Sequence, residues 1–84
     1  MNKCENYELI TSAQGINYFV TQSKSDNPRP FGIFAAMQDD SEDIGCTENI
    51  FFTKEEAQKC CMWLAENLVY PITLSEVLEN FYRL

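Results

Sequence analysis

Four cysteines are the residues of this sequence best suited to bind a metal ion. They are Cys4, Cys46, Cys60 and Cys61. A structural zinc ion takes four thiolate or imidazole ligands in a tetrahedron. Because the chain contains no histidine, these four thiols are its one complete set of such ligands. A bound metal would also supplement the small core of an 84-residue chain. We therefore predict a structural zinc site formed by the four cysteines.

Two other interpretations of the cysteines stay open at this point. The spacing contains no C-x₂-C knuckle, and adjacent residues such as Cys60 and Cys61 point about 100° apart on a helix. Cysteine is also a small hydrophobic residue that packs well in a core, and both residues fall within an apolar helical stripe. A disulfide or redox role is the third interpretation, although it suits a reducing compartment least.

A second group of side chains with chemical potential is acidic. Five carboxylates fall within ten residues that contain no Lys or Arg, namely Asp39, Asp40, Glu42, Asp43 and Glu48. An EF-hand is excluded because the positions that need Gly and Glu hold Ile44 and Ile50. We predict that this segment docks on a basic protein surface through electrostatic steering. The alternative is an ordinary solvated loop.

The composition excludes several classes of function. The net charge of −7 and the pI near 4.3 disfavour direct binding of nucleic acid, because phosphate is repelled. We find no Gly-rich phosphate loop and no G-x-S-x-G motif, and the absence of histidine removes the commonest general base. We therefore expect a protein that is not an enzyme. The N-terminus has no apolar signal region and no stretch reaches the length of a membrane span, so we expect a cytoplasmic location.

The elements that must position these residues are strands in the first half and helices in the second. Residues 7–11, 16–21, 31–37 and 44–51 are rich in β-branched and aromatic side chains, and Gly15 allows a tight turn between the first two runs. Residues 31–37 are apolar on both faces, which predicts a central strand covered on both sides. We expect most of the eleven aromatic side chains in the core, with Trp63, Tyr70 and Tyr82 the least constrained to face inward.

Two capping-box patterns mark the starts of the helices. Thr53 and Glu56 begin the first helix, and Thr73 and Glu76 repeat the pattern for the second. Apolar residues then recur at helical spacing behind each box. The sequence thus predicts a single α+β domain over residues 1–84, in which an antiparallel sheet of three to four strands precedes two helices packed on one face.

The chain resembles two known groups of proteins. Residues 70–81, following residues 53–68, resemble the tail of a small uncharacterised protein family of Firmicutes, which implies no function. The whole chain resembles the small, acidic, non-enzymatic anti-CRISPR proteins that phages use to inhibit CRISPR nucleases, in size, charge, cysteine content and lack of catalytic groups. At least one Cas9-directed member of that class contains zinc. The chain departs from the DNA-mimicking members because Lys54 and Lys59 interrupt the acidic residues of its first helix.

The second resemblance implies a non-catalytic inhibitor. Such a protein would bind a Cas9-type nuclease in the cytoplasm of a bacterial host and block the loading or cleavage of target DNA. Its acidic segment would face a basic surface of the enzyme, and the four cysteines would hold structural zinc. The alternative is a small cytosolic housekeeping or regulatory protein of a Gram-positive host that acts through protein–protein contacts.

Overall fold

The computed structural model describes residues 6–23, 28–39 and 43–80. Its strands are β1 (Asn6–Ala13), β2 (Ile16–Gln22), β3 (Phe31–Met37) and β4 (Ile44–Phe51). They form one antiparallel sheet in the order β1-β2-β3-β4. Helix α1 (Lys54–Glu66), a 3₁₀ turn (Pro71–Thr73) and helix α2 (Leu74–Asn80) follow. The predicted α+β fold is confirmed.

The turn between β1 and β2 takes the form expected for a two-residue hairpin. Gln14 and Gly15 have φ values of 52° and 81°, and both signs match a type I′ turn, whose twist suits that of the strands. Ala13 then pairs with Ile16. The pairing shifts between Leu9 and Thr11, where β1 contains a bulge. The hairpin predicted around Gly15 is confirmed.

The start of α1 is fixed by the predicted capping box. The Thr53 Oγ1 accepts from the Glu56 amide at 3.2 Å, and the Glu56 Oε1 accepts from the Thr53 amide at 3.3 Å. Two helix-terminal donors are thereby satisfied. At the second predicted box the structure differs, because Thr73 belongs to the 3₁₀ turn and its hydroxyl donates to the Tyr70 carbonyl.

The core lies between one face of the sheet and the helices. The sheet contributes buried side chains from alternating positions of β2 and β3, which is the period of a strand with one covered face. The helices contribute the complementary apolar stripe. The principal core residues are Ile16, Tyr18, Val20, Ile33, Ala35, Ala57, Cys60, Cys61, Leu64, Leu74 and Leu78.

Close approach of the two layers is visible at Gly45 in β4. A Cβ atom at this position would lie 2.2 Å from the Pro71 carbonyl oxygen, so the 3₁₀ turn packs directly on the strand backbone. The Thr47 and Ser75 hydroxyls, 3.3 Å apart, hydrogen-bond at the same interface.

Strand β3 is interior, as predicted, but the expectation that both of its faces are covered is wrong. Among the residues that the structure describes, helices cover only the face that bears Ile33 and Ala35. In the described ranges, no helix is long and apolar enough to span a membrane.

Candidate binding surface

The face of the sheet opposite the helices is apolar over its middle, and near the β1–β2 turn it carries the hydrogen-bonded polar side chains of Ser12 and Asn17. We call it the open face, and its described side chains from Tyr7, Leu9, Phe19, Phe34, Ile44 and Cys46 define it. Leu9 pairs with Phe19, Phe19 with Phe34, and Phe34 with Cys46. Since paired residues point to the same side of a sheet, these four form one row across all four strands. All helical elements in the described part of the chain pack on the other face.

Three aromatic rings form the centre of the open face. The ring centroids of Tyr7 and Phe19 lie 5.4 Å apart at 81°, which is an edge-to-face contact. Phe34 lies 5.6 Å from Tyr7 and 5.3 Å from Phe19. Separations of 4.5–7 Å are those of stabilising aromatic pairs. The rings therefore hold one another in a defined arrangement before anything binds to them.

The apolar side chains around these rings reach solvent. Tyr7 is 56% exposed, Leu9 53% and Ile44 59%. Single exposed apolar residues are common on protein surfaces, but a contiguous apolar patch marks an interaction site. The registered row makes the open face contiguous. It is the most distinctive surface among the residues that the structure describes.

Charge is segregated away from the open face. The chain carries 19 Lys, Arg, Asp and Glu residues. None of them is among the described side chains that define the open face. Glu8, between two open-face residues in sequence, belongs to the helix side, where it forms an ion pair with Lys54. An apolar and uncharged centre is the composition that distinguishes the buried part of protein interfaces.

The predicted acidic surface lies at one end of the sheet. Asp39 and Asp43 are exposed in the β3–β4 loop, which is closed by a 3.3 Å bond from the Met37 amide to the Asp43 carbonyl. The Gln38 amide donates to the Gly15 carbonyl at 2.7 Å, so this loop adjoins the β1–β2 turn. The other predicted members cannot be placed in the site: Asp40 and Glu42 lie outside the described residues, as does the side chain of Glu48 in β4.

The opposite end of the sheet carries cations. The Arg29 guanidinium carbon lies 4.8 Å from the ring centroid of Phe52, within the range of a cation–π contact. Lys54, at the start of α1, lies at this end with its partner Glu8. Glu56 lies at this end as well, where its carboxylate accepts from the Phe52 and Thr53 amides, so the described charges here are of both signs.

The predicted zinc ligands are distributed over both sides of the sheet. Cys60 and Cys61 are fully buried in the core between the sheet and α1. Cys46 pairs with Phe34 and belongs to the opposite, open face. Across the ranges that the structure describes, no three metal-ligating side chains come together, and Cys4 lies outside those ranges. The zinc site thus stays a prediction, and the described residues do not assemble it.

Burial suppresses ionisation of two groups in the core. Desolvation, and secondarily the neighbouring Cys60, raises the pKa of the Cys61 thiol to about 12. Desolvation, with smaller contributions from Tyr70 and Cys61, raises the pKa of Tyr18 to about 12. A thiolate is the form that attacks electrophiles and binds metals, and the raised pKa of Cys61 favours its neutral thiol near neutral pH. Its environment is that of a packed apolar side chain.

Sequence reasoning missed the open face, although a signal for it was present. The sequence predicts most aromatic side chains in the core, whereas Phe19 and Phe34 lie on the open face. The sequence predicts both helices on one face of the sheet, so a β3 segment that is apolar on both faces leaves one apolar face without a covering helix. Among the aromatics expected to be less constrained, Tyr70 is exposed, Trp63 is half-buried against the core, and Tyr82 lies outside the described residues.

Comparison with known proteins identifies the family. A model of the family of unknown function DUF6514 matches residues 1–84, and the chain belongs to that family. No curated protein and no solved structure matches the chain.

Proposed function

We propose that this DUF6514 protein is a non-catalytic protein-binding module whose contact surface is the open face. The observation that carries the proposal is the registered row of Leu9, Phe19, Phe34 and Cys46. It runs across all four strands without a charged side chain and is flanked by the exposed Ile44 and Tyr7. A partner that covers this row would remove a contiguous apolar area of the described surface from water.

The aromatic cluster suits the centre of an interface. Aromatic side chains supply large contact areas with few rotatable bonds, and they are enriched among the residues that dominate binding energy. Phe19 and Phe34 are half-buried and packed on each other. Little side-chain entropy is therefore left to lose when a partner covers them, which lowers one of the main costs of association.

The charge of the chain favours protein over nucleic acid as the partner. Sheet faces that bear aromatic rings can stack on bases, but such surfaces combine the rings with a basic groove for the phosphates. Here the described side chains of the open face include no cation, and the whole chain has a net charge of −7. A protein surface that is itself apolar matches the open face better.

The inhibitor of a Cas9-type nuclease and the regulatory protein of a Gram-positive host are both binding proteins of this kind, and both stay proposals. The first is tested by titrating the protein into guide-loaded Cas9 homologues and measuring DNA cleavage and DNA binding together. If the open face is the contact, Ile44→Asp should abolish any inhibition that the wild type shows. Lack of inhibition by the wild type across several homologues would contradict the Cas9 proposal and leave the binding module itself standing.

The binding module is tested directly by site-specific photo-crosslinking in cells of the organism that encodes the chain. The chain offers a matched pair of exposed isoleucines: Ile44 on the open face, 59% exposed, and Ile72 in the 3₁₀ turn on the helix side, 76% exposed. A photoreactive residue at Ile44 should give discrete protein adducts, whereas the same residue at Ile72 should not. Absence of adducts at Ile44, or the same adducts at both positions, would refute the proposal.

A further inference from the structure

We infer that the partner reaches the open face at its β1 edge, by adding an extended segment of its own chain to the sheet as a further strand. The inference rests on the proposed function and names the contact that the partner makes. Strand β1 ends the sheet in the order β1-β2-β3-β4, and the described part of the chain places no strand beyond it. Extended peptides bind exposed sheet edges in this way, through backbone hydrogen bonds.

The direction of the backbone groups in β2 follows from one hydrogen bond at its start. The Gln38 amide donates to the Gly15 carbonyl at 2.7 Å, so the adjoining pair Ile16 and Met37 is one that exchanges no hydrogen bonds of its own. The backbone groups of Ile16 therefore point to β1, and so do those of every second residue along β2. The residues of β2 that bond to β1 are thus Ile16, Tyr18, Val20 and Gln22.

The pairing of β1 with β2 then identifies the outward groups of β1. Asn6 and Glu8 pair with two of those β2 residues, so their N–H and C=O groups are used within the sheet. Because successive residues of a strand direct these groups to opposite sides, Tyr7 and Leu9 direct theirs away from the sheet. Two amides and two carbonyls line this edge, and no backbone hydrogen bond from another described element reaches them. Another extended backbone is the ligand that matches such an alternation of donors and acceptors.

The edge from Asn6 to Leu9 lacks the usual protection against an added strand. Edge strands are commonly protected by proline, lysine or a bulge. This stretch contains neither proline nor lysine, and the bulge of β1 comes after Leu9. Its charged side chain, Glu8, is held by Lys54 on the helix side. We therefore expect the added segment to pair along Asn6–Leu9 and to stop at the bulge.

The side chains of the added segment alternate between the two faces of the sheet. Residues opposite Tyr7 and Leu9 lie on the open face, where these two side chains are 56% and 53% exposed. Apolar residues fit there, because cross-strand neighbours on one face contact each other. The added strand thus extends the row that contains Leu9, Phe19 and Phe34 by one position.

The residue of the added segment opposite Glu8 points to the helix side, where a cavity adjoins the edge. The cavity has a volume of about 120 Å³. Its inner wall includes the buried Val20 and the half-buried Phe31, so we expect an uncharged side chain of medium size to enter it. The residues that line the cavity are Tyr7, Glu8, Val20, Gln22, Phe31 and Lys54.

A second copy of this chain suits the β1 edge less well than another protein does. Antiparallel pairing of two β1 edges through the same groups would set Tyr7 of one copy against Leu9 of the other, with Glu8 directly opposite Glu8. Like charges directly opposite each other destabilise a strand pair, and two chains of net charge −7 also repel each other. A segment with an uncharged residue at that position avoids the opposed carboxylates. The occupant that we infer is therefore a segment of a different protein.

The experiment uses a phage-displayed library of short random peptides, selected on the full chain, followed by amide hydrogen exchange. We expect the selected peptides to carry apolar residues at alternate positions. In the free chain the Tyr7 and Leu9 amides should exchange quickly, whereas the Glu8 amide, which bonds to β2, should exchange slowly. Saturation with a selected peptide should slow the Tyr7 and Leu9 amides at least tenfold and leave the Glu8 amide almost unchanged.

A matched pair of variants separates the backbone contact from the side-chain contact. Leu9→Pro should weaken peptide binding at least tenfold, because proline has no N–H and its ring obstructs the incoming carbonyl. It leaves the β1–β2 hydrogen bonds in place, since the Leu9 amide points outwards. Leu9→Ala keeps that amide and should weaken binding less. Thermal melts check that both variants fold, and the exchange measurement on the wild type decides the question if Leu9→Pro does not.

Three results would overturn the inference: failure to select any peptide, selected peptides that leave the Tyr7 and Leu9 amides unchanged, or Leu9→Ala weakening binding as much as Leu9→Pro. Slowed exchange on concentrating the chain alone would overturn the choice of partner, because it would identify a second copy. Any of these results together with Ile44 adducts in cells would leave the proposed function intact. Slowed Tyr7 and Leu9 exchange without Ile44 adducts would contradict the proposed function and leave the edge contact standing.

Discussion

Replacement of Tyr18 by phenylalanine isolates one hydrogen bond at the centre of the core. The Tyr18 hydroxyl donates to the Val69 carbonyl at 2.7 Å, and the bond joins residues 51 positions apart in sequence. Tyr18 has no exposed surface and Val69 only 7%. The bond therefore fastens the segment after α1 to the middle of the sheet, where water has little access to either partner.

The magnitude follows from what Tyr18→Phe leaves behind. The ring stays in place, so the cavity is no larger than a hydroxyl group, and the main loss is the donor to a buried carbonyl. An unsatisfied buried acceptor costs about 1–3 kcal/mol of unfolding free energy. For a domain of this size each 1 kcal/mol lowers the Tm by about 4–8 °C. At a central cost of about 2 kcal/mol we expect the Tm to fall by roughly 8–16 °C.

The assay is urea unfolding at pH 7 together with a thermal melt. The midpoint should fall while the urea dependence of the unfolding free energy stays the same, because the change does not alter the surface exposed on unfolding. Tyr70→Phe is the matched control, since Tyr70 is exposed, and it should change stability by less than about 0.5 kcal/mol. A loss of under about 0.3 kcal/mol for Tyr18→Phe would show that this hydrogen bond does not hold the segment to the sheet.

Three further changes test other parts of the fold. Gly45→Ala should cost about 2–3 kcal/mol in urea unfolding, because its Cβ would lie 2.2 Å from the Pro71 carbonyl oxygen; wild-type stability would contradict the close contact. Thr53→Ala should cost about 1 kcal/mol by loss of the helix cap, and a neutral result would count against the capping box. Stability should be full below about pH 9 and fall as pH rises towards 12, because folding raises the pKa of Cys61 from 9.0 and of Tyr18 from 10.0, each to about 12. In pH-dependent urea unfolding, Cys61→Ala should lower the slope between pH 9 and 12 by about 1.4 kcal/mol per pH unit; an unchanged slope would show that Cys61 does not titrate abnormally.

Local signals in the sequence predicted the elements of this fold well. Gly15 fixed the position of the hairpin turn, Thr53 and Glu56 fixed the start of α1, and the run from Phe31 to Met37 became β3 with the predicted bounds. Each of these signals acts through a neighbouring backbone group or through the side-chain period of a single element. Local chemistry therefore sufficed to find them.

Predicting the open face requires knowing which side of the sheet the helices cover. The side-chain period of a single strand does not contain that information. Alternation shows that Phe34 and Ile33 point to opposite sides of the sheet, but not which side the helices cover. Cys46 and Cys60 illustrate the same limit, because their separation onto two sides of the sheet follows from strand pairing and helix docking. The open face could have been found by comparing the number of apolar strand positions with the number that the two helices can cover.

The sequential strand order has a consequence during synthesis of the chain. Each strand pairs with the next one made, so the sheet can grow by local contacts that form quickly. Helix α2 ends at Asn80, 29 residues after the end of β4 at Phe51, so the strands leave the ribosome before the helices that cover them. Until α1 and α2 are complete, the nascent sheet presents both its Ile33 side and its Phe34 side to the cell. The helices then cover the first side, and we expect the second to be the one on which nascent chains first meet a chaperone or each other.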